Sequence, residues 1–540
     1  MSSHRITTRT PSADVVAIDI NTEPNVLDTV VEDAAHFPGG HAAGVAQPVT
    51  ESDVAALVQR ATRLLPIGAQ SSLTGGATPR GDVVIDMQRF DRIVAIGSDD
   101  VTVQPGVPIG VLQAALLRDG KYYPPVPTFD GAFAGGVVAT NAAGATTFKY
   151  GTTRDWVRGL TVVLPSGEVL DLTRGATIAH PDGYFEIVTP DEVRRIPVPT
   201  YTVPAVEKCS AGYFAEPEMD LVDLFVGSEG TLGVITEITF AVVSPVPEVA
   251  LVWIPLDSEQ AALDVARMLR QAAKDAWRNR EAAALDVAAI EHLDARSLAI
   301  VREDGATRHN EISLPDTAQV ALLAQVELPT HTATRPDAAY AEIGAALTTD
   351  APDTPLTRLC RLLASTGLLA ATEIALPSDR GRQAQLIAIR EAVPEGVNRR
   401  VGEAKRLCDG AIEKTAADMI VPFDRLADGL AVFRAAFESR GLDYAIWGHL
   451  SDGNVHPNVI PRSLDDVTHG KKAILECGRE VVQLGGCPLA EHGVGRNPVK
   501  QELLRQLYGN EGIAEMRAVK AALDPAGKLA SGVVFSPSAE

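Results

Sequence analysis

The sequence predicts an α+β protein of two domains, and three observations lead there. At 540 residues the chain is too long to bury a single core. Residues 42–243 read as alternating strands, glycine-rich turns and helices. After TEITFAVV (236–243) the grain changes to long amphipathic helices separated by short strands, so 244–540 is expected to form the second domain. Residues 1–41, rich in Pro, Thr and Asp, read as an arm feeding the first.

The elements follow in order. VTESDVAALVQRATRL is a helix with Thr50 as N-cap, Asp53 three residues on, and apolar residues at helical spacing. DVVIDM (82–87) is a buried strand, and DDVTVQPGVPIGVLQAALLRDG (99–120) is strand, Pro/Gly turn and helix. VRGLTVVLPSGEVLDL (157–172) is a hairpin around Ser166-Gly167. Residues 173–220 hold many prolines and few periodic signals and read as an inserted excursion. Helices are expected over 258–280, 378–393, 424–440, 470–485 and 499–523.

Composition narrows the function. A net charge of −22 argues against nucleic-acid binding, where basic surface supplies most of the affinity. It also requires a local Arg or Lys cluster to capture any anionic substrate. Cys209, Cys360, Cys408, Cys477 and Cys487 form no CxxC pair and read as reduced thiols. The N-terminus lacks the apolar stretch of a signal peptide, and no window approaches the roughly 20 apolar residues that span a bilayer. A soluble, cytoplasmic protein is expected, with peripheral association at the inner membrane left open.

The stretch HLSDGNVH sets His449 and His456 around an Asp-Gly pair. Gly453 and Pro457 disfavour a helix there. A single strand would send the two rings to opposite faces. A two-residue turn at Asp452-Gly453 instead predicts His449 opposite His456 and Ser451 opposite Asn454. Opposed Cβ atoms lie about 5 Å apart on one face, so the two imidazoles could share a metal ion. The plainer alternative is a pair of polar residues stabilising a hairpin. GGCPLAEHGVGRN (485–497) tilts the balance by placing Glu491 beside His492. Two imidazoles and a carboxylate form a common catalytic zinc set that leaves a position for substrate. Neighbouring residues in extended chain point apart, which leaves His492 free to act as a base.

PIGAQSSLTGG (66–76) follows a strand but is not GxGxxG, which argues against a Rossmann site. Alone it is better read as a surface turn than as an anion-binding nest. With PPVPTFDGAFAGGVVATNAAGATTFKYG (124–151), the 157–172 hairpin and DLFVGSEGTLGVITEITF (223–240), it resembles the FAD-binding domain of the flavoproteins typified by vanillyl-alcohol oxidase and p-cresol methylhydroxylase. The resemblance implies a two-subdomain FAD-binding domain over 42–243. In it Gly68, Ala69, Gln70, Ser71, Ser72, Leu73 and Gly75 would wrap the pyrophosphate. Pro127, Thr128, Gly135, Gly136, Ala139, Asn141, Ala142, Gly144, Tyr150 and Gly151 would line the flavin and ribityl chain. Gly227, Glu229, Gly230 and Val234 would close on the adenine side. Some members attach FAD through a histidine in the first loop; this chain has Gln70 and no histidine in 66–76, so non-covalent FAD is expected.

GHLSDGNVHPN and AEHGVGR resemble the C-terminal signatures of FAD-linked D-2-hydroxyacid dehydrogenases, the group of D-lactate and D-2-hydroxyglutarate dehydrogenases and the flavin subunit of glycolate oxidase. That resemblance implies a substrate (cap) domain with an antiparallel sheet and a C-terminal segment that returns to the FAD. It implies His449, His456 and Glu491 as ligands of a divalent metal, zinc or manganese, His492 as the general base, and Asn454 as a substrate contact. Arg390 matches the substrate-carboxylate arginine, and Lys414 is the candidate second cation. Pro394 stands where several members carry a hydroxylated residue, which leaves the substrate side chain open. The expected activity is oxidation of a small D-2-hydroxy acid to its 2-oxo acid. Quinone, cytochrome, electron-transfer flavoprotein and oxygen are open as electron acceptors, as is a homodimer. The alternatives are oxidation of another alcohol, alkyl transfer on the same scaffold, a non-catalytic flavin or metal sensor, and a metal hydrolase without flavin.

Overall fold

The computed structural model describes residues 3–11, 18–281, 283–330, 332 and 335–536. It divides into two compact units. Unit 1 comprises 1–144, 151–244 and 487–540, and unit 2 comprises 145–150 and 245–486. In this division 145–150 groups with unit 2 and the described residues from 487 onward group with unit 1.

Two of the sheets in unit 1 match the two expected subdomains. The first is parallel, in the order His41–Ala46, Arg80–Asp86, Leu64–Ile67, with a further bridge from Leu64 to Leu529. The helix Glu51–Arg60 covers it through Val54, Leu57 and Val58. Thr50 caps that helix as expected: its side chain accepts the Asp53 N–H while the Asp53 carboxylate accepts the Thr50 N–H. The second sheet is antiparallel, in the order Ile93–Ile96, Asp100–Val103, Val234–Ala241, Val157–Val163, Val169–Thr173. Its last two strands are the expected hairpin, turned at Gly167 with φ 99°.

The arm and the excursion are not loose additions. Arg5–Thr7 pairs in parallel with Tyr184–Val188, which pairs antiparallel with Val193–Pro197. One row of this small sheet is Arg5, Glu186 and Arg195, held by ion pairs across both strand junctions. Charge in the row replaces the apolar alternation that marks most strands.

Unit 2 is built on an eight-stranded sheet in which each pairing is antiparallel. From one edge it runs Glu373–Ala375, Glu248–Leu256, Val320–Leu328, Asp286–Leu293, Tyr444–His449, Asn454–Val459 and Thr415–Ala416, with Met419–Ile420 also on Asn454–Val459. The helix Arg380–Leu407 covers one face. It continues through Pro394, beyond the expected end at 393. Leu386, Ile389, Val393, Val397 and Val401 recur at spacings of three and four and are all buried in the same core, which outweighs the hydrogen bond that Pro394 cannot make. Among the described residues no helix is long and apolar enough to cross a membrane.

Candidate functional site

Unit 1 contains a cavity of about 510 Å³, within the roughly 300–1,000 Å³ typical of ligand sites. Its wall includes the whole run Gly68 to Leu73, then Pro127, Thr128, Gly135, Gly136, Ala139, Ala142, Glu229, Gly230 and Val234. The first loop holds its shape through Gln70, a left-handed residue (φ 50°) whose side-chain amide donates to the carbonyls of Val30 (3.0 Å) and Ala77 (2.9 Å). A Cβ on Gly136 would meet no protein atom within 4 Å, so the missing side chain leaves ligand space rather than room for packing. Leu73 and Phe129 add exposed apolar surface to the wall. A bare-backbone loop beside an apolar slot fits a pyrophosphate joined to an aromatic ring system.

Six of the residues expected to contact FAD are not on this wall: Gly75, Asn141, Gly144, Tyr150, Gly151 and Gly227. Most of them shape the backbone behind it. A Cβ on Gly144 would sit 2.3 Å from the Val126 carbonyl, and one on Gly75 would strike the Phe37 ring. The Asn141 side chain accepts the Arg154 N–H at 2.9 Å. Tyr150 lies in unit 2, where its hydroxyl donates to Glu327 at 2.6 Å.

Glu491 and His492 also line the cavity. The chain is bent here rather than extended, and the two side chains do not point apart as expected: Glu491 Oε1 lies 3.6 Å from His492 Nε2. Glu491 Oε2 accepts from the Lys208 ammonium at 2.8 Å, and the Lys208 side chain has no exposed surface. Lys208 comes from the excursion, and nothing in its local sequence marks it.

In unit 2 sheet register assembles the second group. The expected two-residue turn is not formed. Leu450–Asp452 makes a 3-10 turn closed by Gly453 (φ 88°), so His449 pairs with Asn454 and Trp447 with His456. The hairpin loop is therefore two residues longer than the Asp-Gly pair predicts. His449 and His456 become diagonal neighbours on one face, with ring centroids 5.4 Å apart and planes perpendicular. Each offers a ring nitrogen within 4.8 Å of the other's. Ser451, expected beside Asn454, turns inward and accepts the Ile290 N–H at 3.0 Å.

On the other side of its strand His449 pairs with Glu291. Glu291 Oε1 lies 2.5 Å from His449 Nδ1, and Oε2 accepts from Arg390 Nε at 2.8 Å. Burial works to raise the Glu291 carboxyl, but His449 and Arg390 outweigh it and hold it at about 2. An ionised Glu291 fixes the proton on His449 Nδ1 and leaves Nε2 as the basic nitrogen. Asp418 Oδ1 lies 3.4 Å from His456 Nδ1, within ion-pair range but without the short hydrogen bond that Glu291 makes to His449. Asn454 donates to that Asp418 oxygen at 2.9 Å, while its own Oδ1 is buried with no hydrogen-bond partner among the described residues. Lys414 is exposed just before Thr415–Ala416. Sequence reasoning missed Glu291 and Asp418. The acid beside His292 within the largely apolar strand DVAAIEHL was the available signal for the first.

Residues 42–173 match the family described as FAD binding domain, and residues 256–534 match FAD linked oxidases, C-terminal domain. The chain belongs to the FAD-linked oxidases and is an FAD-linked oxidoreductase. It is 27% identical to the glycolate oxidase subunit GlcD of Bacillus subtilis, over 88% of this chain and 84% of the relative. It is 27% identical to a D-2-hydroxyglutarate dehydrogenase of Xanthomonas citri, over 96% and 95%. It is 25% identical to a D-lactate dehydrogenase of Anaerostipes hadrus, over 89% and 86%. A solved alkyldihydroxyacetonephosphate synthase shares the fold, with a TM-score of 0.58 at 16% identity over 96% of this chain and 82% of that one.

Proposed function

We propose that the chain oxidises a small D-2-hydroxy acid, of the lactate, glycolate or 2-hydroxyglutarate kind, to the 2-oxo acid, with FAD taking the two electrons. The relatives' names favour that substrate class. The observation that carries the reading is the carboxylate-backed imidazole pair. Metal-binding histidines characteristically donate their second ring N–H to a carboxylate; His449 stands against Glu291 in that way, and the Asp418 carboxylate lies 3.4 Å from the His456 ring. The proposed ligands are His449, His456 and Glu491, holding zinc or manganese.

When bound, FAD supplies a hydride acceptor and the dication a Lewis acid that lowers the pKa of a coordinated hydroxyl. Gly68 to Leu73 hold the pyrophosphate, and Gly135, Gly136 and Ala139 leave room for the ring system. His492 takes the proton from the substrate hydroxyl. Arg390, Asn454 and Lys414 are the proposed contacts to the substrate's polar groups. With Nε committed to Glu291, Arg390 also fixes the carboxylate that orients His449.

The test is anaerobic titration of the yellow holoprotein with paired D- and L-2-hydroxy acids, before and after chelation. Bleaching by a D-acid, lost on chelation and restored by zinc or manganese, is the expected result. His492→Asn should keep its FAD and lose the bleaching rate. A flavin that no 2-hydroxy acid bleaches overturns the reading.

A further inference from the structure

We propose that Glu229 is a positioning residue: its carboxylate grips the backbone turn directly after His492 and fixes where that imidazole stands in the cavity wall. The resemblance implied only a cofactor contact for Glu229, and the geometry assigns it more. Its Oε1 accepts the Val494 N–H and its Oε2 the Gly495 N–H, both at 2.8 Å. Two backbone donors, one to each oxygen of the same side chain, form a two-point clamp that fixes the turn in orientation as well as place.

The surroundings are shaped to that clamp. Gly493 has φ 72°, and a Cβ there would lie 3.0 Å from Glu229 Oε1. Gly495 has φ 58°, and its Cβ would lie 2.3 Å from the Thr74 carbonyl. Glu229 is itself a non-glycine residue in the left-handed region, at φ 52°, a conformation that persists only where its neighbours hold it. They do: its N–H donates to the Ala139 carbonyl at 2.7 Å, between Gly227 and Gly230, both also at positive φ.

Anchors farther along do not replace the clamp. The Arg496 N–H donates to Thr74 at 3.0 Å and its guanidinium to Asp82 at 3.1 Å, and the Gly495 carbonyl accepts from the Val534 N–H at 2.9 Å and Gln501 at 3.1 Å. These hold the far end of the turn, and none takes the Val494 N–H next to His492. On the near side Lys208 holds Glu491. His492 lies between the two restraints. The loop that lines the flavin cavity and the loop that carries the base are thereby coupled through one side chain.

The importance of His492 rests on the function proposed above; the clamp itself does not. The experiment therefore has two arms on the FAD-loaded full chain, using Glu229→Ala, Glu229→Gln and Gly493→Ala. The first arm follows hydrogen exchange of the Val494 and Gly495 amides. At least about tenfold faster exchange is expected in Glu229→Ala, with a smaller rise in Glu229→Gln, which keeps one acceptor oxygen. Unchanged exchange in both overturns the proposal. The second arm follows flavin reduction by substrate. A loss of about ten- to hundredfold is expected in Glu229→Ala and in Gly493→Ala with FAD content unchanged, and the same Glu229 change should add little in a His492→Ala background. Loss of FAD in step with rate assigns Glu229 to cofactor binding and overturns the proposal, as does an undiminished effect without His492. If no hydroxy acid reduces the flavin, the proposed function fails while the exchange arm still reads the clamp.

Discussion

Lys208 carries its ammonium into the protein with no exposed side-chain surface, and the Glu491 carboxylate meets it there. Removing one partner of such a pair strands the other charge in a poorly solvating site. Lys208→Met should therefore cost about 3–5 kcal/mol in denaturant unfolding, and adding Glu491→Gln should recover part of it. Glu291 plays a different part, because its partners are an imidazole and a guanidinium. Glu291→Gln leaves the shape but removes the charge that holds the His449 proton on Nδ1. Metal retained after equilibrium dialysis should fall by about 10- to 100-fold in affinity, and unchanged retention would remove Glu291 from the proposed metal site. His449, His456 and His492 stand out as candidates in sequence because imidazoles beside glycine turns are conspicuous, and Glu491 stands out through its place next to His492. Glu291 and Asp418 do not, since an acid in a strand reveals its partner only once the register across the sheet is known.

Helices were the most legible elements, because caps and apolar spacing are local. The Thr50 cap and the start of Arg380–Leu407 are examples, whereas the far end of the latter depended on what it packs against. The turn at Gly453 was the least legible. An Asp-Gly pair suits a two-residue loop, yet the longer loop wins because Ser451 reaches Ile290 and Gly453 lies against Val421. A Cβ at 453 would stand 2.2 Å from the Val421 carbonyl and must also adopt φ 88°. Gly453→Ala should thus destabilise the chain by more than about 2 kcal/mol, read as a drop in thermal midpoint. A near-neutral result would mean that the turn can re-form without this close approach.

For the protein taken entire, the α+β class was readable from the change of grain near 243. The sheet joining arm to excursion was not, since its central row is Arg5, Glu186 and Arg195 rather than an apolar alternation. Global stability also carries a pH signature. His292, buried opposite Gly448, is depressed to about 4, chiefly by burial and then by Arg434. Its neutral form is favoured in the fold, so between about pH 6.5 and 4 the unfolded chain binds the extra proton. Stability from this group is full above that window and is lost as pH falls through it, by about 3 kcal/mol in all. His292→Phe should lower the acid sensitivity: the gap in thermal midpoint between pH 7.5 and 5 should shrink relative to the parent chain, and an equal gap would show that His292 does not control it.

The chain passes between the two units at four junctions: 144/145, 150/151, 244/245 and 486/487. A stop codon after 486 would spare nearly every residue of the imidazole-bearing sheet yet delete Glu491, His492 and the Leu529 rung beside Leu64. Neither half can be cloned as one uninterrupted reading frame, so dissecting this enzyme calls for circular permutation or spliced fragments rather than simple truncation.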